Sequence, residues 1–322
     1  MRSLSKTGSR PLLLPVLLPL VLGLACRLAD LLVPGETVWG SAVSALLLSA
    51  PRWLLLLYPL IGLLLVLQGH RLLGVALALL GGASAGLPLP AGEEVGHHLV
   101  FANVQAYSGG AEALEQALSA FEADVVITAE RRAEQISGME RVADNFDEDL
   151  PKPSHGAAVF CRDPGACEAL ISPEFGAESC GMPMALLRLK ASLCVVGVHV
   201  PPPVPVCATG VRPYVREIHS HIRDGRIVEN WGPCRAGDPV LVAGDFNAVP
   251  GSWALRTLAE AGLEAGWDLR GVWGSTWPAG GGWPDFPVLR LDHALSGEVE
   301  VHSLGLRNLP GADHKALELW VD

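Results

Sequence analysis

The chain is 322 residues long, 50% hydrophobic and 18% charged, with a formal net charge of −11. That acidic balance, with no run of Lys or Arg, excludes a continuous basic strip for holding a long polyanion and weighs against a general nuclease. Local geometry and bound cations can override net charge, so cleavage of nucleic acid stays open.

The composition is uneven. The first 90 residues are rich in Leu, Val, Ala and Gly and carry six basic residues (Arg2, Lys6, Arg10, Arg27, Arg52 and Arg71) against Asp30 and Glu36, a net of +4. The remainder therefore carries −15 of the chain's −11. Residues 11–33 are long enough to cross a bilayer as a helix. Two shorter apolar pieces, 39–50 and 53–67, are broken apart by Pro51-Arg52 and supply one further crossing or a kinked unit, and residues 71–89 supply the last. A cleaved signal peptide is the rival for the first segment, but its apolar run is long and others follow it. Three crossings, with the basic N-terminus inside, put the acidic part on the outer face of the cell membrane; a second crossing in the middle region would leave it cytoplasmic. The expected division is a transmembrane region over residues 1–90, a linker over 91–98 and a catalytic domain over 99–322. So short a linker is expected to keep an active site close to the bilayer.

Beyond the linker, strand patterns occur at residues 99–104, 124–128, 157–161, 184–190, 193–200, 239–243, 289–295, 299–304 and 316–321, and helical spacing at 112–122, 211–230 and 252–262. Several strands follow one another without a helix between them, which predicts a sandwich of mixed sheets rather than a parallel α/β repeat. Polar residues sit at the strand ends: Asn103, Glu130, His199, Asp245, Asn247, Asp292 and Asp313-His314. Groups so placed can converge at one edge of a sandwich, a candidate active site. Asp245 and Asn247, two apart on an extended chain, point the same way. A carboxylate there can orient or deprotonate water, and a carboxamide can donate to a phosphoryl oxygen without adding charge.

Taken in order, Phe101-Ala102-Asn103-Val104, Val126-Ile127-Thr128-Ala129-Glu130, Val198-His199-Val200-Pro201, Gly244-Asp245-Phe246-Asn247-Ala248, Thr276-Trp277-Pro278, Arg290-Leu291-Asp292-His293 and Gly311-Ala312-Asp313-His314 resemble the endonuclease/exonuclease/phosphatase superfamily. The resemblance covers residues 99–322 and implies a four-layer, DNase I-like α/β sandwich preceded here by the helical transmembrane region. It implies Glu130, Asn103 and Asp313 as ligands for Mg²⁺ or Mn²⁺. It implies His314 paired with Asp292 at the scissile phosphate, and His199 as donor to a phosphoryl oxygen. Either Asp245 or His314 would deprotonate the attacking water. Ala129 stands where the family often has Gln, Gln105 lies where many nucleases carry an acidic or polar metal neighbour, and Ala312 replaces a common Ser. No principal catalytic position is lost.

With its membrane segments the chain resembles the teicoplanin-resistance type of membrane phosphohydrolase. The expected function is hydrolysis of phosphoester or pyrophosphate bonds in a phosphorylated small molecule or lipid. A membrane-anchored nuclease and a non-catalytic binding module are the alternatives. His97, His98, His155, His219 and His221 are read as surface or turn residues and His293 as structural. Trp273, Trp277 and Trp283 are read as loop packing. Six cysteines in residues 99–322 allow disulfides in an oxidising space, without indicating their pairing.

Overall fold

The computed structural model describes residues 57–67 and 92–322, except 105–110, 131–134, 146–155, 173–181, 191, 205–206, 266–273 and 281–284, together with a few single residues before position 77. Among the described residues no helix is long and apolar enough to cross a membrane. Helix α1 (Leu57–Leu67) falls inside the 53–67 segment. The proposed spans over 11–33, 39–50 and 71–89 lie almost wholly outside the described residues.

From residue 97 onward two sheets stack face to face. In chain order the strands are β1 (His97–Asn103), β2 (Val125–Ala129), β3 (Glu140–Asp144), β4 (Ala157–Cys161), β5 (Cys167–Ile171), β6 (Met184–Leu189), β7 (Cys194–His199), β8 (Ile222–Arg223), β9 (Arg226–Ile227), β10 (Val240–Asp245), β11 (Trp277–Ala279), β12 (Asp285–Leu289), β13 (Asp292–Ser296), β14 (Val301–Asn308) and β15 (Lys315–Val321). The first sheet runs β14-β15-β1-β2-β4-β3 and the second β13-β10-β7-β6-β5. Helices α2 (Ala111–Ser119), α3 (Ala208–His221) and α4 (Trp253–Glu260) cover their outer faces.

The central strands are apolar on both faces because both faces are buried. Leu99, Phe101, Val125 and Ile127 meet Leu187, Val195, Leu241 and Ala243 between the sheets. On the outer side of the first sheet, Val100, Ala102, Val126 and Phe160 pack under Leu114 and Leu118 of α2. Val196, Val198, Val240 and Val242 pack under Tyr214, Val215 and Ile218 of α3 and Leu258 of α4. These are the four expected layers, helix, sheet, sheet, helix.

Several boundaries differ from the sequence reading. The helix expected over 211–230 ends at His221, because Asp224 and Gly225 take positive φ (51° and 74°) and turn the chain back as β8 and β9. The strand expected over 289–295 is β13, which starts only at Asp292, and Leu289 instead ends a separate strand, β12. Strands β3, β5, β8, β9, β11 and β12 are further elements that the sequence pattern does not predict. Domain structure begins two residues before the expected linker boundary, since β1 starts at His97. His98 is buried rather than at the surface, its Nε2 3.1 Å from Glu318 Oε1 and its ring stacked 4.1 Å from that of Trp320.

Two disulfides are described, Cys161–Cys167 at the crossing from the first sheet to the second and Cys194–Cys234; Cys207 is also disulfide-bonded.

Candidate active site

The two sheets each have one parallel pair, β1 with β2 and β7 with β10, and all four strands end at the same side. Parallel register sets Asn103 opposite Ala129, the residue before Glu130, and His199 opposite Asp245. Antiparallel pairing of β10 with β13 brings Asp292 opposite Asp245. The close approach of β10 to β7 depends on Gly244, at φ 136°, where a Cβ would lie 2.2 Å from the Val198 carbonyl oxygen.

All eight residues singled out in the sequence converge here. The Asn103 amide donates to Glu130 Oε1 and to Asp245 Oδ2, both at 3.0 Å. His199 Nε2 is 3.3 Å from Glu130 Oε1 and 3.8 Å from Asp245 Oδ2. His314 Nδ1 is 2.8 Å from Asp292 Oδ2, and its Nε2 faces Asp245 Oδ2 at 3.7 Å. The Asn247 backbone N–H donates to Asp245 Oδ1 at 2.7 Å. Its side-chain amide donates to the Val200 carbonyl (2.8 Å) and to Asp245 Oδ2 (3.2 Å), which holds Asp245 in place. Asn247 and Glu130 both adopt positive φ (47° and 70°), so the chain turns sharply as each side chain enters the site.

Three supporting residues were not recognised as such. Thr276 is buried, and its hydroxyl accepts from the backbone N–H groups of Leu291 (3.1 Å) and Asp292 (3.2 Å). Trp277 packs against the Val249 and Leu291 cluster, as loop packing would have it, yet its indole N–H also donates to Asp313 Oδ2 at 3.2 Å. Tyr214 hydrogen-bonds the backbone N–H of His199. A Thr-Trp pair ahead of the Asp292 strand was visible in the sequence, but the contacts connect residues far apart along the chain. His293 is structural as expected, with Nε2 2.7 Å from the Ala248 carbonyl. His219 and His221 lie on α3, with His221 stacked on Trp231, and His155, Trp273 and Trp283 lie outside the described residues.

Burial governs the electrostatics. It raises the Glu130 carboxyl above its ordinary value, against the hydrogen bond from Asn103. It pushes Asp245 up to about 6, opposed by His314 and His199 and reinforced by Asp292. For His314 burial alone would lower the pKa, but Asp292 and Asp245 outweigh it and push it up to about 10. Four carboxylates, those of Glu130, Asp245, Asp292 and Asp313, thus crowd around two imidazoles, an arrangement that calls for added positive charge.

The donor set fits a divalent metal. Glu130, His199 and Asp245, and likewise Asp245, Asp292 and His314, offer ligand atoms within 4.8 Å of one another. Among the described residues, the Asn103 Oδ1 and Asp313 Oδ1 atoms are buried without a hydrogen-bond partner, as oxygens meant for a hard cation would be.

Among solved structures, humanized D. rerio TDP2 carrying 14 mutations is 12% identical, with 70% of this chain and 98% of that one covered at a TM-score of 0.52. A 3′ phosphatase from Neisseria, NExo, bound to product DNA hairpin, is 13% identical over 70% of this chain and 99% of its own, at a TM-score of 0.50. A functionally unknown conserved protein from Enterococcus faecalis is 14% identical, covering 70% and 99%, also at 0.50. At these identities the likeness is one of fold. No curated protein matches the sequence. The family model described as endonuclease/exonuclease/phosphatase matches residues 100–314, well over half of the chain, and spans every residue of the site. The chain therefore belongs to the endonuclease/exonuclease/phosphatase family, whose enzymes are divalent-metal-dependent phosphoester hydrolases.

Proposed function

We propose that this protein is a membrane-anchored, metal-dependent phosphohydrolase whose catalytic domain faces an oxidising space outside the cytoplasm and acts on a small or lipid-borne phosphoester or pyrophosphate. The observation that carries the hydrolase reading is the convergence of Asn103, Glu130, His199, Asp245, Asn247, Asp292, Asp313 and His314 at one end of both sheets.

Glu130, Asn103 and Asp313 would hold Mg²⁺ or Mn²⁺, which when bound neutralises phosphate charge and polarises the bond to be cleaved. Asp245, with a pKa of about 6, is ionised at neutral pH and suited to take a proton from water. His314, at about 10, is protonated there, so its role is to stabilise phosphoryl charge rather than to act as base. His199, whose Nε2 lies 3.3 Å from Glu130 Oε1, would donate to a phosphoryl oxygen.

The substrate class draws support from charge. The chain's acidic balance, without a basic strip, disfavours a long polyanion. The disulfides favour an oxidising compartment. Helix α1, all apolar or aromatic but for Pro59 and Gly62, leaves Leu60, Leu63, Leu64 and Leu67 more than half exposed, a surface that lipid would cover.

A phosphate-release panel tests the reading: the protein with Mg²⁺ is offered lipid pyrophosphates, inositol phosphates, and DNA and RNA. Release from the first or second is expected. Efficient DNA cleavage with no release from small or lipid phosphates would instead make the protein a nuclease. Phosphate release unchanged in both Asp245→Ala and His314→Ala would remove the catalytic assignment.

A further inference from the structure

Strand β7 pairs with β6 in antiparallel register as far as Val198 opposite Met184. The next rung would set His199 against Pro183. In its place stands the hydroxyl of Tyr214, which accepts from the His199 backbone N–H at 3.1 Å and donates to the Pro183 carbonyl at 3.0 Å. Tyr214 comes from α3 and is fully buried, so its hydroxyl finds in these two backbone groups the partners that burial demands. On the other flank β10 holds the same strand end, the Val200 N–H donating to the Asp245 carbonyl at 2.8 Å. Beyond Val200 the chain runs into Pro201-Pro202-Pro203, which have no N–H to extend the ladder. Between those two flanks the His199 imidazole is directed at Glu130 and Asp245.

We propose that Tyr214 is a positioning residue for His199. Its hydroxyl is inserted as a rung where the β6–β7 ladder ends, and it fixes the direction in which the imidazole enters the site. This inference rests on the phosphohydrolase reading.

The full-length protein in detergent with Mg²⁺ is assayed on bis(p-nitrophenyl) phosphate. Tyr214→Phe keeps the ring and removes the bridging oxygen. We expect kcat to fall about 10- to 100-fold with little change in KM, the scale of loss that follows a small misplacement of a reacting group. In a His199→Ala background the same change should cost nothing further, as required of two residues acting as one unit. An equal loss in both backgrounds, or none in either, would overturn the assignment. Hydrogen exchange at the His199 amide supplies a readout that needs no turnover and, in the wild type, no variant. Strong protection in the wild type that is lost in Tyr214→Phe is expected, and a wild-type amide exchanging like an exposed one would overturn the inference. A wild type with a protected His199 amide but no hydrolysis of any phosphate would overturn the phosphohydrolase reading alone.

Discussion

Asp245 is contacted from four directions, by Asn103, Asn247, His199 and His314, and no other carboxylate in the site is so surrounded. Asp245→Asn keeps the shape and removes the base, although its NH2 must face a donor, either the Asn247 backbone N–H or the side-chain amides of Asn103 and Asn247. Its kcat is expected to fall about 10²- to 10⁴-fold; activity near that of wild type would assign the base elsewhere. The pH profile follows from the same groups. Without metal, Asp245 ionises through about 6 and His314 loses its proton through about 10. With Mg²⁺ bound, both limbs of the activity profile should lie below these values, because a cation favours the ionised carboxylate and disfavours the imidazolium. The stability of the metal-free protein carries the His314 sign. Its pKa is raised from 6.5, so the stabilisation from its carboxylate partners is fully present below about 6.5 and is lost as pH rises through about 10. His314→Gln should abolish that alkaline loss in a Tm series, and an unchanged alkaline slope would show that another group causes it. Most of these residues were legible in the sequence because each lies beside an apolar run that reads as a strand. Their charge states were not, since these depend on burial and on neighbours far along the chain, as Asn103 is 142 positions from Asp245 and His314 farther still from Glu130.

The loops between strands do as much as the strands to assemble the site, and they were the least legible part. Thr276-Trp277 reaches across to both halves of the sandwich. The Thr276 hydroxyl fixes the start of β13, its carbonyl accepts from the Lys315 N–H (3.0 Å), and the Ala279 N–H donates to the Asp313 carbonyl (2.8 Å). Thr276→Val retains shape and leaves two buried N–H groups without their acceptor. A loss of roughly 2 kcal/mol or more in a denaturant titration is expected, with a larger fall in kcat than in substrate affinity. A neutral variant would show that the strand end is held otherwise. The disulfide Cys194–Cys234 is a second such connection, tying the first residue of β7 to a turn 40 positions later. Closing a loop of that length stabilises by about 4 kcal/mol in the chain-entropy description, so Cys194→Ala with Cys234→Ala should lower Cm in proportion. The sequence offered six cysteines without pairs because sequence spacing carries no information about which strand ends meet. The start of β13 is poorly legible for a related reason: Leu289 and Leu291 carry the apolar pattern back from Asp292, while the backbone ends β12 at Leu289 and begins β13 at Asp292.

At the scale of the molecule, the way the domain is attached bears on what it can reach. Residues 92–96 enter at the N-terminal end of β1 and lie against the far end of the first sheet: a Cβ on Gly92 would strike the His302 carbonyl, and one on Gly96 the end of β15. Asn103 stands at the other end of the same strand, six residues on, a rise of about 20 Å. On the proposed membrane anchoring, β1 carries the site away from the point where the chain enters the domain, so the length of the linker does not alone set how near the site lies to a bilayer. A domain standing upright on the membrane would reach soluble phosphates freely and lipid headgroups only by tilting. If tilting limits the lipid reaction, a Gly/Ser insertion of about ten residues before Gly92 adds roughly 17 Å of root-mean-square reach. It should then raise turnover of a vesicle-borne lipid pyrophosphate several-fold while leaving hydrolysis of a water-soluble phosphodiester unchanged. Equal rates on the lipid substrate with and without the insertion would mean that the domain already lies on its side with the site at the surface. A rise for both substrates would mean that the native linker restrains the site itself, and would discard the geometric argument.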